Sequence, residues 1–576
     1  LEVDDPEEEL EVLMRLVVPD AVPPKVKVVA RFGDVITCRI KRKDMEAVYA
    51  SPLKFSIKAA RYFGQNKVAA HVAPTTPAPV PPSGTTSEVI LGVIDWGCDF
   101  THPNFRHEDG TTRLLGIWDQ SVTKKTGGLR PYGYGSFYSR AQINKALQSS
   151  QPFRTLQYHP AKADAAGIGA HGTHVLDIAG GNGRVGTAGM APGAQLAFVH
   201  LSAGDTGGRA NLGDSVRILE AIHFLQHLAA GRPLSINMSV GRHGGPHDGQ
   251  TLVERAIDNF LEAVPNTMLC QSTGNYFTSN THAAGSIRPG KSSRLPFFIH
   301  QADKTPNELE VWYSGKDVFD AVLRTDSIQI EVPLDNKKEL INSDGLIVGR
   351  MYHRKKDPVN GKNHINIFLY PNAPPGQWEV VLSGRVVRDG RFNAWIERDT
   401  GARHNQARFL PHIVSYHTTT GTVCNGFNSL VVGAYDSHAQ NFAFGPFSSM
   451  GPTVDGRCKP DLVAPGVRIV AARSAQRWHT TSKGALTIMS GTSMASPHVA
   501  GTVARVLELL PPGTPFHVIR NIILSSTDAV RTQEGARLGH GLLNAERALQ
   551  YARRYVQSVT RLLPEAVVDN ALISSN

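Results

Sequence analysis

The stretch that decides the fold is Val89-Ile90-Leu91-Gly92-Val93-Ile94, followed directly by Asp95. A continuous apolar run of this length is typical of a parallel strand that is buried on both faces. Further apolar runs follow, and helical patterns separate them. The expected strands are 195–201, 234–240 and 267–273, and the expected helices are 171–179, 214–230 and 251–263. This alternation predicts a doubly wound, mostly parallel α/β sheet.

The alternation is interrupted once. Residues 285–410 contain short alternating segments between turn residues, such as Ile328-Gln329-Ile330-Glu331-Val332. This texture predicts an antiparallel β-sandwich inserted into the α/β domain. The domain is then expected to have a first part at 88–284 and a second part at 411–556, followed by a C-terminal tail at 557–576. Strands at 429–434 and 469–472 and helices at 493–510, 516–525 and 543–556 are expected in the second part.

The N-terminal residues 1–72 have the texture of a small α+β unit. Residues 1–20 are acidic and then apolar, which indicates a short helix, whereas 25–32 and 35–40 are predicted strands and 44–62 could hold a further helix. Residues 73–87 have the sequence APTTPAPVPPSGTTS, with five prolines. Such a composition predicts an extended, exposed linker that a protease would cut easily.

Composition narrows the function classes. With 41% apolar and 19% charged residues, the 576-residue chain is globular and not disordered. The net charge of +10 is spread thinly, and its densest run is only Lys41-Arg42-Lys43, so we expect no nucleic-acid partner. No run of 18 apolar residues occurs, so no membrane span is predicted. Five cysteines without a C-x-x-C pair argue against a disulfide framework and weakly favour the cytoplasm, although the compartment stays open.

Four polar residues stand where an active site of such a sheet would lie. Asp95 and Asn275 each follow a predicted buried strand, and His171 and Ser493 each open a predicted helix. In open α/β sheets, ligands bind beyond the carboxyl ends of the strands, so we expect the four side chains to converge there.

These residue types match the needs of acyl transfer. A serine hydroxyl is a weak nucleophile unless a base accepts its proton, and an imidazole can take that proton and return it. A carboxylate orients the imidazole and stabilises its charged form, while an amide donor can stabilise an oxyanion. The chain order is Asp, His, Ser, which is the order of subtilisin and differs from that of chymotrypsin.

The chain resembles the subtilisin-like serine protease family (peptidase S8). The matching motifs span residues 88–501 and are interrupted by the insert. They are V-I-D-W-G (93–97), H-G-T-H-V (171–175), G-M-A-P-G-A (189–194), I-N-M-S-V-G (236–241), S-T-G-N (272–275), P-D-L-V-A-P-G (460–466) and G-T-S-M-A-S-P-H-V-A-G (491–501). The resemblance implies a catalytic triad of Asp95, His171 and Ser493, with Asn275 and the backbone N–H of Ser493 binding the oxyanion.

The same resemblance implies how a protein or peptide substrate would bind. Ser239-Val240-Gly241 corresponds to the strand that pairs with the substrate backbone. Ser272-Thr273-Gly274 would line the pocket for the side chain before the scissile bond. Family members often have small alanines there, so this departure leaves the specificity open. We see no acidic loop of the calcium-binding kind, and we expect no metal and no cofactor.

Two further likenesses concern the flanking units. The long excursion before H-G-T-H and the β insert resemble the bacterial Csp-type germination proteases with their jelly-roll insert. Residues 1–72 resemble a subtilisin prodomain, which implies a precursor inhibited by its own prodomain and cut by itself between about residues 62 and 88.

Two non-enzymatic alternatives stay open. The chain could keep the fold and act as a catalytically silent pseudoprotease that binds partners, although no residue of the Asp95, His171, Ser493 and Asn275 set is missing. It could also be a basic binding protein that works through its β insert. The second alternative predicts that Ser493→Ala leaves the function unchanged.

Overall fold

The structure is a computed structural model that describes residues 5–59, 64–65, 68–69, 87–122, 128–164, 167–202, 214–397, 405–477 and 480–562. The linker predicted at 73–87 therefore lies outside the described residues except for Ser87, and the tail predicted at 557–576 is described only to residue 562. Within the described residues, no helix is long and apolar enough to cross a membrane.

The N-terminal unit is a four-stranded antiparallel sheet with one short helix. Its elements are β1 (Glu9–Leu16), β2 (Lys27–Phe32), β3 (Val35–Lys41), α1 (Met45–Ala50) and β4 (Lys54–Ala59), and the strand order is β2-β3-β1-β4. Two short strands follow, β5 (Gly64–Gln65) and β6 (Val68–Ala69), and they pair outside this sheet.

The helix expected within residues 1–20 is wrong. Residues 9–16 form β1 instead, in which Met14 faces Ile36 of β3 on one side and Ile57 of β4 on the other. Val12, Met14 and Leu16 point into the core of the unit. The apolar side chains thus follow the period of two that a strand requires, and partners on both sides satisfy its backbone.

The centre of the molecule is an eight-stranded sheet. Its strands are β7 (Ile90–Asp95), β8 (Leu114–Asp119), β9 (Ser136–Ser139), β10 (Gln195–His200), β11 (Leu234–Met238), β13 (Thr267–Ser272), β25 (Leu430–Tyr435) and β26 (Leu462–Pro465). Their order is β26-β25-β13-β11-β7-β10-β8-β9, and every pairing except that of β8 with β9 is parallel. The predicted mostly parallel α/β sheet is confirmed. The sequence patterns did not reveal β8, β9 and β26.

Helices cover both faces of this sheet. They are α2 (Arg140–Leu147), α3 (Pro152–Leu156), α4 (His171–Gly180), α5 (Asp214–Ala229), α6 (Leu252–Ala263), α7 (Thr492–Leu507), α8 (Phe516–Ser525), α9 (Gly535–Leu538) and α10 (Ala545–Leu562). Helices α4 and α7 contribute to the core on one face, and α5 and α6 to the core on the other. Strand β7 therefore has apolar neighbours on both faces of the sheet, which explains why its sequence does not alternate between polar and apolar residues.

Two antiparallel sheets lie between β13 and β25 in the chain. Their strands are β14 (His282–Ser286), β15 (Ser292–Ile299), β16 (Asn307–Tyr313), β17 (Val318–Arg324), β18 (Gln329–Val332), β19 (Asn336–Ile341), β20 (Ile347–Arg354), β21 (Asn363–Leu369), β22 (Gly376–Val386), β23 (Arg391–Ile396) and β24 (Arg408–Phe409). The orders are β14-β23-β16-β21-β20-β19 and β18-β17-β22-β15-β24, and the sheets share one core. Both sheets are needed to bury it, because each sheet has one apolar face.

Three short strands complete the fold. The strand β12 (Val240–Gly241) pairs with β5, and β27 (Ile469–Ala472) and β28 (Leu486–Ser490) form a small sheet with β6. The segment 469–472 is a strand as expected, but it lies in this small antiparallel sheet and not in the central one.

Candidate active site

The predicted catalytic residues lie where strands end and helices begin. Asp95 is the last residue of β7, His171 is the first residue of α4, and Ser493 is the second residue of α7. The backbone links the first two, because Gly172 N–H donates to the carbonyl of Trp96 at 2.8 Å. The end of β7 is thereby joined to the start of α4.

Helices α4 and α7 pack side by side and run in the same direction. Gly501 of α7 lies so close to the backbone of Ala179 in α4 that an added Cβ would be 2.4 Å from the Ala179 carbonyl oxygen. Nearer the helix starts, His498 is close enough to His174 to contribute to the lowered pKa of that group, whose main cause is burial. Ala179 and Gly501 each follow their predicted catalytic residue by eight positions, so the two helices begin side by side.

His171 and Asp95 form a buried pair. Their Nδ1 and Oδ1 atoms are 2.7 Å apart, and both side chains are fully excluded from solvent. Because a carboxylate can only accept, Nδ1–H donates, and in the neutral form of such a ring the lone pair is on Nε2. That Nε2 atom, and Asp95 Oδ2, have no hydrogen-bond partner within the described part of the chain. The Nε2 atom therefore makes no hydrogen bond to Ser493 here.

Asn275 is held by the residue that precedes Ser493. The backbone N–H and the hydroxyl of Thr492 both donate to Asn275 Oδ1, each at 3.0 Å. The Thr492 hydroxyl in turn accepts the N–H of Gly274 at 3.2 Å. Since Thr492 occupies the carbonyl end of the Asn275 amide, its NH₂ end is directed away from Thr492.

The predicted substrate strand contacts the start of α7. Ser239 Oγ donates to the Ser493 carbonyl at 3.1 Å and accepts from Asn237 Nδ2 at 3.0 Å. The next two residues, Val240 and Gly241, form β12 and pair with β5 of the N-terminal segment. This strand already carries an antiparallel partner from the chain itself.

The predicted specificity segment lies between β13 and Asn275. Ser272 and Thr273 are both buried, and neither Ser272 Oγ nor Thr273 Oγ1 has a hydrogen-bond partner among the residues that are described. Gly274 has φ +103°, a conformation that favours glycine, and it leads the chain from the strand to Asn275. That this segment lines a specificity pocket stays a prediction.

A buried charge cluster follows the predicted substrate strand. Arg242 directly follows Gly241, and its Nη2 lies 3.0 Å from Glu397, 3.2 Å from Glu308 and 3.6 Å from Glu310. Burial by itself would lower the pKa of Arg242, but the three carboxylates outweigh it and raise that pKa. Burial also raises the pKa of Glu397.

No sequence signal pointed to this cluster, because all three carboxylates come from distant parts of the insert. Thr492, by contrast, stood inside the G-T-S-M motif, and only its role was overlooked. Among the described residues, no group of three or more His, Cys, Asp or Glu side chains is arranged to hold a metal ion.

A parallel sheet that presents Asp, His and Ser at one edge in this chain order defines the class of subtilisin-like serine proteases. The model of the subtilase family (Peptidase_S8) matches residues 86–293 and 402–541, more than half of the sequence. The chain therefore belongs to the subtilase family. The family model leaves unmatched residues 294–401, a range that includes strands β16 to β23 of the two antiparallel sheets.

Curated relatives match shorter stretches. The serine protease AprX of Bacillus subtilis is 35% identical over 130 residues, which is 21% of this chain and 29% of AprX. The subtilisin-like protease SBT4.14 of Arabidopsis thaliana is 40% identical over 113 residues, which is 18% of this chain and 15% of that protein. The chain thus spans less than a third of the length of these relatives.

Among solved structures, the Clostridium perfringens CspB protease is similar over 81% of this chain and 95% of CspB. The TM-score is 0.65 and the sequence identity is 23%. At this identity the likeness establishes the fold.

Proposed function

We propose that the protein is a serine endopeptidase that hydrolyses peptide bonds through an acyl-enzyme. The observation that carries this proposal is the buried hydrogen bond of 2.7 Å between His171 and Asp95. His171 begins α4, which lies beside the start of α7 that carries Ser493. An imidazole that is oriented by a carboxylate and lies beside a serine can activate the serine hydroxyl for attack on a carbonyl.

The residues would act in two half-reactions. Ser493 Oγ attacks the scissile carbonyl carbon and passes its proton to His171 Nε2, while Asp95 stabilises the resulting imidazolium. His171 then gives that proton to the leaving amine as the C–N bond breaks. In the second half-reaction, a water molecule loses a proton to Nε2 and attacks the ester. The carboxylic acid product leaves, and Ser493 regains its proton.

The negative charge of each tetrahedral intermediate needs donors. The Asn275 NH₂ group and the Ser493 N–H are suited to this role, because Thr492 fixes the opposite end of the Asn275 amide. The start of α7 adds a partial positive charge at the same place.

Substrate would add as a strand to Ser239-Val240-Gly241, with the preceding side chain near Ser272-Thr273-Gly274. The pairing of β12 with β5 supports the first assignment, because the edge of β12 accepts an antiparallel strand there.

We further propose that residues 1–72 are a prodomain that inhibits the enzyme and assists its folding. The support is its contact with the α/β domain: Arg39 of β3 reaches Glu220 of α5 at 2.9 Å, and Asp34 accepts from Arg255 of α6 at 2.9 Å. The corresponding domain plan is a linker at 73–87, a catalytic domain at 88–284 and 411–556, a jelly-roll-like insert at 285–410 and a tail at 557–576. Self-cleavage would fall between about residues 62 and 88.

The test compares wild type with Ser493→Ala and a matched control, Ser526→Ala, whose buried hydroxyl donates to the Ile523 carbonyl away from the site. We expect a fluorophosphonate probe to label wild type and Ser526→Ala but not Ser493→Ala, and hydrolysis of a fluorogenic peptide to follow the same pattern. Equal labelling and hydrolysis in all three proteins would reject the assignment of Ser493. No labelling and no hydrolysis in any of them would favour the pseudoprotease.

A further inference from the structure

Helix α7 contains a proline one turn after the proposed nucleophile. In a regular α-helix, the backbone N–H of residue 497 would donate to the carbonyl of Ser493, but Pro497 has no N–H. A proline ring also clashes with the carbonyl four residues before it. Because Ser493 is buried, its carbonyl needs a donor from outside the helix.

Ser239 supplies that donor. Its hydroxyl donates to the Ser493 carbonyl at 3.1 Å and accepts an N–H of the Asn237 side chain at 3.0 Å. A hydroxyl has a single proton, so the bond from Asn237 directs the proton of Ser239 toward Ser493. The bond to the Ser493 carbonyl therefore depends on which end of the Asn237 amide faces Ser239.

Ser496 fixes the orientation of that amide. Its hydroxyl donates to Asn237 Oδ1 at 2.7 Å, so the NH₂ end of the amide is turned toward Ser239. Three hydrogen bonds that point in one direction thus lead from Ser496 through Asn237 and Ser239 to the Ser493 carbonyl. All four residues are buried, so bulk water cannot replace a donor that is lost.

These three bonds complete the support of the backbone around Ser493. Before Ser493, the N–H of Thr492 donates to Asn275 Oδ1 at 3.0 Å, and after it the Ser493 carbonyl accepts from Ser239. The position of a reacting group matters, because a displacement of about 1 Å can cost about 10²-fold in rate. A residue that holds the Ser493 carbonyl should therefore affect the chemical step.

We propose that Asn237 and Ser496 are positioning residues for Ser493, an inference that rests on the proposed peptidase function. Both act through Ser239. They hold the Ser493 carbonyl at the place where Pro497 withholds the helical donor. Neither residue takes part in the proton transfers of the proposed mechanism.

A neighbouring contact on the same face of β11 offers a matched control. The buried Ser235 hydroxyl donates to the Ala500 carbonyl at 2.7 Å, so it also joins β11 to α7. The residue four positions after Ala500 is Ala504, which has an N–H for the helical bond. The Ala500 carbonyl therefore does not depend on Ser235 as the Ser493 carbonyl depends on Ser239.

The experiment measures kcat and KM for the fluorogenic peptide in wild type, Asn237→Asp, Ser496→Ala and Ser235→Ala. Asn237→Asp keeps the shape but has no N–H to donate to Ser239, and Ser496→Ala removes the bond that orients the amide. One hydrogen bond corresponds to about fivefold in rate, so kcat should fall by that factor in both variants with KM nearly unchanged. Ser235→Ala should keep the wild-type kcat, and Ser496→Thr should restore it because it retains a hydroxyl.

Pro497→Ala makes the test specific to the Ser493 carbonyl. This substitution restores an N–H that can donate to that carbonyl, so the three bonds are no longer needed. In the Pro497→Ala background, Asn237→Asp and Ser496→Ala should therefore lower kcat by less than about twofold.

The outcomes separate the two proposals. If wild type hydrolyses the peptide and kcat of Ser496→Ala equals that of Ser235→Ala, this inference is overturned and the peptidase function stands. The same holds if the losses in kcat are equally large in the Pro497→Ala background. Thermal unfolding shows whether each variant folds, and if Asn237→Asp does not, Ser496→Ala decides. If wild type does not hydrolyse the peptide, the peptidase function fails and this inference fails with it.

Discussion

Thr492 holds the side-chain carbonyl of Asn275 with two donors, its backbone N–H and its hydroxyl, each 3.0 Å from Oδ1. The residue that precedes the proposed nucleophile Ser493 thus sets the orientation of the Asn275 amide at the end of the neighbouring strand. Because Gly274 N–H donates to the same hydroxyl, the turn that carries Asn275 is fixed at both ends. The proposed oxyanion donor is therefore positioned before any substrate arrives.

Removing the Thr492 hydroxyl should slow the chemical step. In Thr492→Val one of the two donors to Asn275 is lost, and a single hydrogen bond contributes about 1 kcal/mol, so kcat should fall about fivefold with KM nearly unchanged. Thr492→Ser should restore kcat because it keeps the hydroxyl. The control is Thr502→Val, because the Thr502 hydroxyl donates to the backbone carbonyl of His498 within the same helix. Equal changes of kcat and KM in Thr492→Val and in the control would contradict a positioning role.

Removing the amide itself should cost more. Asn275→Ala deletes the proposed donor, and a loss of about 10²–10³ in kcat is expected, the magnitude established for the corresponding donor in subtilisin, a member of this family. The measurement is single-turnover hydrolysis of an ester and of an amide substrate. Unchanged single-turnover rates would remove Asn275 from the mechanism.

The N-terminal unit should depend on one buried ion pair. Arg39 and Glu220 are 2.9 Å apart with side-chain exposures of 6% and 0%, and Tyr134 also donates to Glu220 at 2.7 Å. In Arg39→Met the buried Glu220 carboxylate would lose its cationic partner, and burial already raises the pKa of Glu220. The folded state should therefore be destabilised by about 3–5 kcal/mol. We expect a lower Tm in the Ser493→Ala background, where the chain stays uncut.

The matched control for this prediction is Arg42→Met. Arg42 pairs with Glu8 in the same unit, but both side chains are largely solvated, with exposures of 35% and 50%. Exposed pairs contribute about 0–1 kcal/mol, so the Tm should hardly change. Equal Tm values for the two variants would show that the N-terminal unit does not rely on Arg39.

Acid should weaken the junction between the insert and the α/β domain. His247 and His282 are buried, and both rings stack on Trp395 at centroid distances of 4.1 and 5.0 Å. Burial lowers the pKa of His247 to about 3 and that of His282 to about 4. The charges of His282 and Lys362 add to the lowering at His247, whereas hydrogen bonds to Asn393 and to the backbone of Ser415 oppose it at His282. Glu310 opposes the shift at His247.

The sign follows from linkage. A histidine in the unfolded chain binds its proton near pH 6.5, whereas His247 and His282 in the folded protein do so only near pH 3–4. Their contribution to folding stability is therefore complete above pH 6.5 and is lost as the pH falls. Between pH 6.5 and the folded pKa of each group, the free energy of unfolding should fall by about 1.4 kcal/mol per group for each pH unit of acidification. The test is the urea midpoint of Ser493→Ala at pH 7.5 and at pH 5.0. Adding His282→Asn should make the midpoint less dependent on pH, whereas His438→Asn, at an exposed position, should leave the dependence unchanged. A midpoint independent of pH would reject it.

The insert should affect catalysis through Arg242. This residue follows Gly241 of the proposed substrate strand and lies close to three carboxylates of the insert, Glu308, Glu310 and Glu397. Glu308→Gln keeps the shape and removes one charge from the cluster, so the fold should survive. We expect KM to rise a few-fold with kcat unchanged, since the substrate strand would be held less firmly. An unchanged KM would separate the insert from substrate binding.

The local pattern determined five of the eight strands of the central sheet and the residues of the candidate site. A strand such as β7 is buried on both faces, so its apolar run is visible without knowledge of its neighbours. Asp95, His171, Asn275 and Ser493 each lie in a short motif whose position at a strand end or helix start also follows from local pattern. The distance that joins Asp95 to His171 across 76 positions did not follow from it.

The tertiary structure alone decided the features that depend on distant partners. The place of β1 between β3 and β4 is one such feature, because both partner strands lie in other segments of the chain. The carboxylates around Arg242 come from residues 66 to 155 positions away. The same holds for the registers of β5 on β12 and of β6 on β28. Pairing register and buried charge compensation are properties of two segments together, so neither segment carries the information by itself.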